Sequence, residues 1–385
     1  MRSAAQSKLH AVLVGAGHAH LHLVHRSGQL RRLGVRLTLI APRQFYYSGL
    51  ASGVLSGALP REAAMIDIAA LARVTGIEYR PDLVTAFDPS TRSLLLASGE
   101  SLGFDVVSFN VGSEASIPAE LRAKPGVWTV KPLDRLLALR DELEVSLSQG
   151  SAPPSVVVAG GGQTGFEVAA AVAGLLHRLG LPPQVTLASK DTPKWGPAEA
   201  ISRLQKVLAD QGVVFVKASV LERGPGHCRL SDGQHLPCDH LVWAGGLRPP
   251  TLISELGLPL SSDGRLRVTP SLCSVADETI FGVGDCAVLD HAPRPAVGVF
   301  GVRAAPVLLN NLAALADGRP VRRFDPQGRW LSIMDLGNEQ GLAIRGRFWW
   351  LGRLALRAKR YLDLGFVQRM RASVPAEMVR PNDLI

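Results

Sequence analysis

Gly160, Gly162 and Gly165 stand at the spacing G-x-G-x-x-G within SVVVAGGGQTGFE, residues 155–167. Between a strand and a helix, that spacing holds the pyrophosphate of a dinucleotide. Gly160 permits the tight turn, Gly162 lets the backbone approach the phosphates, and Gly165 lets the helix pack close to the strand. Thr164 shares the turn, and the helix N-terminus offers free N–H groups and the positive end of its dipole. The setting is the required one. Val156–Ala159 reads as a buried strand, and the Ala-rich run through Leu176 reads as a helix. Taken alone, the same spacing also fits an ordinary glycine-rich turn.

It is not alone. Leu9–Val14 reads as a strand running into Gly15-Ala16-Gly17-His18-Ala19-His20 and then a helix to about Leu33, with His20 in place of the third glycine. The following strand, Val35–Ile40, ends in Ala41-Pro42-Arg43 rather than in an acidic ribose ligand, which leaves Arg43 as a phosphate or adenine neighbour. In the second copy, Val185–Ala188 ends in Ser189-Lys190. Each copy closes about ninety residues after its turn with a strand ending in glycine, at Gly112 and at Gly245, and this internal repeat says two nucleotides and two domains. Between the copies, Ile66–Thr75 reads as a helix, and Ile77–Tyr79, Val84–Phe87 and Ser93–Ala97 as a small antiparallel set. Thr279–Ala287 then delivers Gly284-Asp285 into a turn. A carboxylate there can accept from sugar or ribityl hydroxyls, although an ordinary Asp turn reads the same. Arg294–Val297 opens another helix, whose N-terminus can face an anionic ring atom.

The composition suits a packed protein of two or three domains: 385 residues, 46% hydrophobic and 19% charged. The net charge of +9 comes from basic residues spread along the chain, without a nucleic-acid-binding motif, so no nucleic-acid partner is expected. No uninterrupted apolar run reaches transmembrane length. Ala11–Val14 is too short for a secretory signal, and a cytoplasmic protein is expected. Cys228, Cys238, Cys273 and Cys286 are scattered, which argues against a dithiol centre close in sequence. His18, His22 and His25 share a helical face, yet no carboxylate or thiolate supports them, so no metal is expected.

GAGHAH, VVVAGGGQTGFE, LVWAGGLRP and FGVGDCA, in this order, resemble the two-dinucleotide-domain flavoproteins of the pyridine nucleotide-disulfide oxidoreductase superfamily. Within it the chain is similar to the type II NADH:quinone oxidoreductases, and more so to relatives that occur alone or fused ahead of selenide, water dikinase. Tyr47-Ser48-Gly49, Val130-Lys131-Pro132, Phe300–Arg303 and Lys359–Phe366 carry that last likeness. The resemblance covers nearly the whole chain. It implies an α/β fold with two Rossmann-like domains of the glutathione-reductase kind. Residues 1–125 and 279–325 would form the FAD domain, 126–278 the inserted NAD(P)H domain, and 326–385 a C-terminal α+β segment.

The resemblance further implies FAD held by Gly15, Gly17 and His18 at its pyrophosphate, with Gly112 and Arg43 nearby. Gly284 and Asp285 would lie at the ribityl chain, and Ala296 and Val297 at the flavin ring. NADH or NADPH would bind at Gly160, Gly162, Thr164, Gly165 and Gly245, with Ser189 and Lys190 at its adenosine end. Glu167 matches the acidic residue near the nicotinamide–flavin contact, and Lys131 a basic position; these two are the candidate catalytic residues. Lys190 supplies a cation for a 2′-phosphate, whereas Gly165 in place of Ala favours NADH, so the coenzyme stays open. Val297-Gly298 stands where type II enzymes carry an Ala-Gln pair at the quinone pocket. The implied activity is hydride transfer from NAD(P)H to FAD and then two-electron transfer to an acceptor, a quinone first. The alternatives are a non-catalytic redox sensor or selenium-metabolism accessory and, behind these, a sulfide:quinone oxidoreductase. A homodimer is admitted.

Phe348–Phe366 predicts a basic amphipathic helix. Leu351, Leu354, Ala355, Ala358, Tyr361, Leu362 and Phe366 fall on one stripe, with Arg353, Arg357 and Arg360 opposite. Such a helix either lies peripherally in a membrane surface or packs its apolar stripe on the flavin domain.

Overall fold

In the computed structural model, which describes residues 9–148 and 152–371, two five-stranded parallel sheets carry the two glycine turns. The first runs Ile280–Gly282, Val106–Phe109, Leu9–Val14, Val35–Ile40 and Glu78–Arg80 in spatial order. The second runs Val127–Thr129, His240–Trp243, Ser155–Ala159, Gln184–Ala188 and Val213–Val216. In both, the strand leading into the turn is central, and its two neighbours are reached by crossovers in opposite directions. That arrangement opens a crevice at the C-terminal strand ends, where the glycines lie. The central strands are Val- and Leu-rich because helices cover both faces; every residue of Ser155–Ala159 is buried.

Several local expectations shift. Glu78–Arg80 pairs in parallel with Val35–Ile40 as the edge of the first sheet. The antiparallel set is instead Val84–Asp88, Ser93–Leu96 and Ser101–Gly103. A three-residue edge strand carries no period that distinguishes parallel from antiparallel pairing. Ile66 falls on a short strand, Met65–Asp67, before the helix Ile68–Thr75. The first helix breaks at Arg26 into His18–His25 and Ser27–Arg32, where Ser27 and Gly28 are weak helix formers and the Ser27 hydroxyl donates to Thr75 O at 3.3 Å. The helix expected from Arg294 begins at Gly298 and runs to Asp317, because Pro295 disfavours helix at the residue before it and Val297 is extended. That helix has the length and mean hydropathy, 1.5, of a membrane span, but half of it is buried in the fold.

The C-terminal segment departs furthest. Phe348–Gly352 is a strand, hydrogen-bonded in a three-stranded sheet with Gly341–Arg345 and Ser332–Asp335, as its aromatic run favours. Only then does the helix Arg353–Arg371 begin. Its buried face carries Ala355, Leu356, Phe366, Val367 and Met370, rotated by about a third of a turn from the expected stripe. Leu354, Tyr361 and Leu362 point outward instead. The C-terminal sheet packs on the helix Gln163–Arg178, with Met334, Leu336, Leu342 and Ile344 in one core with Phe166 and Val172.

Candidate active site

The first turn is built around Asn110, at the end of the strand Val106–Phe109. Gly15 has φ +88°, and a Cβ there would lie 2.6 Å from Asn110 O. At Gly17 a Cβ would sit 2.4 Å from Asn110 Oδ1. That oxygen accepts from Ala19 N at 3.1 Å and His20 N at 3.3 Å, while Asn110 Nδ2 donates to Val283 O at 2.8 Å. Asn110 therefore ties the pyrophosphate turn to the turn that carries Gly284. Its signal in the sequence is only its place two residues before Gly112. His20 replaces the third glycine because its ring is a satisfied core group: Nδ1 donates to Gly15 O at 2.7 Å, and Nε2 lies 2.8 Å from Ser108 Oγ. Burial pushes its pKa down to about 4. His18 opens the helix, its ring packed among Phe45, Tyr47 and Phe366, and burial pushes it down to about 4 as well. Among the described residues, no group of three or more His, Cys, Asp or Glu is placed to hold a metal ion.

The second turn has the form its spacing predicts. Gly160 adopts φ +138°, and a Cβ on it would meet Ala244 O at 2.3 Å; a Cβ on Gly165 would lie 1.9 Å from Gly160 O. At Gly162 a Cβ would meet nothing within 4 Å, so the backbone there faces open space. Thr164 and Gly245 are exposed at the same opening. Trp195 Nε1 donates to Gly161 O at 2.9 Å and braces the turn from outside. Ser189 N donates to Val216 O at 3.0 Å, which sets exposed Lys190 beside exposed Lys217 at the ends of neighbouring strands. Lys217 carried no motif of its own. Arg43 lies past the end of Val35–Ile40 and pairs with Asp67 at 3.5 Å.

Lys131 and Asp285, read separately in the sequence, meet. Lys131 Nζ is 2.6 Å from Asp285 Oδ2, and the Ser113 hydroxyl donates to the same oxygen at 2.8 Å. Burial works to raise the Asp285 pKa, but the Lys131 ammonium and the two hydrogen bonds outweigh it and hold the carboxyl below its ordinary value. Gly284, Asp285, Ala296, Val297 and Phe300 line one cavity at the start of the helix Gly298–Asp317.

Glu167 lies in a separate cluster. Ser52 Oγ donates to its Oε1 at 2.8 Å and Asp335 N at 2.9 Å, and Lys359 Nζ stands 3.7 Å away. Burial raises the Glu167 pKa in spite of that ammonium. Lys359 is also buried, yet Glu167 and Asp363 keep its pKa above the ordinary lysine value. In the sequence Lys359 stands out only as the start of the Lys359–Phe366 likeness, with no role of its own. His18 lies between the two clusters and feels the charges of Asp285, Lys131 and Asp363.

These residues suit two dinucleotides. Gly162 and Val297 cap their helices without a side-chain hydrogen bond, which turns first-turn N–H groups toward the crevices; at Gly17, Asn110 Oδ1 already takes the N–H groups of Ala19 and His20, and the open space at Gly112 and Gly162 admits a ligand backbone to backbone.

A family model for pyridine nucleotide-disulphide oxidoreductases matches residues 9–304. The chain belongs to that family. Its cofactors are FAD and a pyridine nucleotide, and its fold is the paired Rossmann arrangement described above. NADH dehydrogenase-like protein Rv1812c of Mycobacterium tuberculosis H37Rv is 30% identical over 224 residues, 55% of this chain and 56% of that protein. The chain thus aligns with little more than half of that relative's length. Demethylphylloquinone reductase NdbB of Synechocystis is 25% identical over 341 residues, 83% of each chain. Among solved structures, the sulfide:quinone oxidoreductase of Aquifex aeolicus superposes with a TM-score of 0.80 at 17% identity, covering 96% of this chain and 93% of that one. At that identity the likeness is one of fold.

Proposed function

We propose that this protein is an FAD-dependent NAD(P)H oxidoreductase whose electron acceptor is a diffusible quinone. The observation that carries the reading is the state of the cysteines in a family named for disulfide chemistry. All four are free and buried, and burial pushes Cys286, the one beside the Asp285 turn, up to about 12. A thiol so protonated is a poor nucleophile, which argues against sulfide attack through Cys286, and the neighbouring thiols Cys228 and Cys238 lie in a separate core on the second sheet, so exit of electrons to a small molecule is the reading favoured. The names of the M. tuberculosis and Synechocystis relatives support NADH as donor and a quinone as acceptor.

FAD, when bound, supplies hydride acceptance and two-electron transfer. The chain binds, orients and moves protons. The turns at Gly15–His18 and Gly160–Gly165 hold the two pyrophosphates, and Asp285, fixed by Lys131 and Ser113, accepts from the flavin side chain. Glu167 would face the reacting rings and donate a proton to the acceptor, with Lys359 3.7 Å away. Lys190 and Lys217 receive the adenosine end of the coenzyme.

The outer face of the C-terminal segment supports a peripheral membrane site. Phe348, Leu354 and Tyr361 are 75%, 71% and 81% exposed, with Trp350 and Leu362 beside them. Arg345, Arg347, Arg353 and Arg357 are exposed around this band. Aromatic and leucine side chains fringed by arginine fit an anionic lipid surface, where a lipid-soluble quinone would be met.

The test is the visible spectrum of the purified protein under anaerobic NADH and then NADPH, followed by turnover on a short-chain quinone. A flavin spectrum that bleaches and then turns over many equivalents of quinone is expected. Bleaching without quinone turnover would favour a sensor or accessory role, and a colourless protein that takes up no FAD would overturn the reading.

A further inference from the structure

Lys359 stands between two carboxylates. Its ammonium is 3.2 Å from Asp363, one turn further along the same helix, and 3.7 Å from Glu167 on the helix Gln163–Arg178. Asp363 is itself held from the other side: the Tyr47 hydroxyl donates to Asp363 Oδ1 at 3.0 Å, and the Tyr47 ring stacks on Phe366 with centroids 4.8 Å apart. The loop comes this close because residue 49 is glycine; a Cβ there would lie 2.4 Å from the Tyr47 ring and 2.8 Å from Asp363 Oδ1. The Lys359 and Asp363 side chains are only 11% and 15% exposed. This is not the solvated i,i+4 pair of a surface helix, whose contribution is small.

The charges facing this space come from four segments. Glu167 enters from the Gln163–Arg178 helix, Asp335 from the C-terminal sheet, and Lys359 and Asp363 from the last helix. Ser52 and Tyr47 bring hydroxyls from the segment after the strand Val35–Ile40, and His18 packs against Tyr47 from the start of its own helix. Arg369 acts on Tyr47 from the far side. Three carboxylates thus share one buried ammonium, and Asp363 is the nearer of the two that lie within 4 Å of it. Glu167 is left as the group that burial favours in its protonated form.

We propose that Asp363, clamped by the Tyr47 hydroxyl, is a positioning residue that divides the Lys359 charge between itself and Glu167 and so governs when Glu167 can release a proton. The inference rests on the reading of Glu167 as the proton donor. Removing the Asp363 charge while keeping its shape takes away a competing carboxylate and leaves Glu167 as the partner nearest the ammonium, which favours the ionised glutamate, so Glu167 should titrate at lower pH.

The experiment compares the purified flavoprotein with its Asp363→Asn, Asp363→Glu and Glu167→Gln variants. Infrared pH titration follows the carboxylic-acid C=O band that Glu167→Gln removes, and kcat/KM for a short-chain quinone is measured over the same pH range. The band midpoint and the quinone profile are expected to move down together by about one pH unit in Asp363→Asn and to return in Asp363→Glu, with anaerobic flavin bleaching by NADH within about twofold of wild type. An unmoved band in Asp363→Asn overturns the positioning role. A band that moves while the quinone profile stays overturns instead the reading of Glu167 as donor. Should Asp363→Asn fold poorly, Asp363→Ser removes the same charge and carries the same expectation.

Discussion

The Lys131 ammonium lies 2.6 Å from Asp285 Oδ2, joining the end of one dinucleotide unit's edge strand to the acidic turn of the other. The two side chains are mostly buried, so removing one partner strands the other. Asp285→Ala is expected to cost about 3 kcal/mol in stability and to lower the flavin retained on purification, read from urea unfolding and the absorbance ratio. Lys131→Met, which removes the charge and keeps most of the packing, should cost less. Because the folded-state pKa of Asp285 is depressed, this contribution is present above the ordinary carboxylate pKa and is lost as pH falls through the folded value. Wild type and Asp285→Ala should therefore converge in stability in strong acid.

Two histidines set a second acid limit. His18 and His20 are each held neutral down to about 4 by burial. Their folded pKa values lie below the unfolded value, so the stability they contribute is whole above about pH 6.5 and falls away toward pH 4, at up to about 3 kcal/mol for each group. The thermal midpoint of wild type should fall steeply across that window. For His20→Gln the slope should be shallower, with a lower midpoint at pH 7 from the lost bonds to Gly15 and Ser108. An unchanged slope would mean that His20 titrates normally.

Gly165 separates the two nucleotide sites. A Cβ there would lie 1.9 Å from Gly160 O, backbone against backbone, so Gly165→Val should prise the helix from its strand and abolish reduction by NADH while FAD remains bound. Stopped-flow bleaching should fall by at least about a hundredfold, and dithionite should still reduce the flavin fully.

Coenzyme choice should follow Lys190 and Lys217. Each alanine substitution is expected to raise KM for NADPH about tenfold and to leave KM for NADH within about twofold, as loss of a charge-assisted phosphate contact would. Equal changes for both coenzymes would rule out a 2′-phosphate contact.

The lipid-facing reading is tested by Leu354→Ser with Tyr361→Ser, two exposed positions whose loss should leave the thermal midpoint unchanged. Partitioning onto vesicles containing phosphatidylglycerol is expected to fall about tenfold, and raising the salt concentration should weaken wild-type binding in the same assay. Wild type that ignores such vesicles would rule out the surface.

What could be read from the sequence was what neighbouring residues decide. Gly160, Gly162 and Gly165 fall within six positions, and strand, turn and helix follow from their own periods and conformational demands. Asp285 was found because its turn is local. Asn110 was passed over because its partners, Gly15, Gly17 and Val283, lie far along the chain and no spacing ties them together. Lys359 and Glu167 show the same limit more sharply: their pairing depends on the rotation of the last helix, in which Ala355 and Phe366 of the apolar stripe stay inside while Leu354, Tyr361 and Leu362 turn outward. The inner side also carries Lys359 and Asp363 against Glu167 and Tyr47, and ion pairs between distant segments leave no periodic mark.

Phe366 stacks against Tyr47 and lies beside His18, 5.4 Å between ring centroids, so the last helix walls the first turn. A nascent chain can complete the Gly15–His18 turn and its sheet long before that helix has left the ribosome. Cofactor loading therefore has a time window during biosynthesis. FAD would enter from the side that the last helix later covers, and docking of that helix closes the door behind it. Contacts spanning most of the chain form late and slowly. A chain whose last helix has not docked would hold its flavin open to exchange, and retention of the cofactor becomes a marker of that docking.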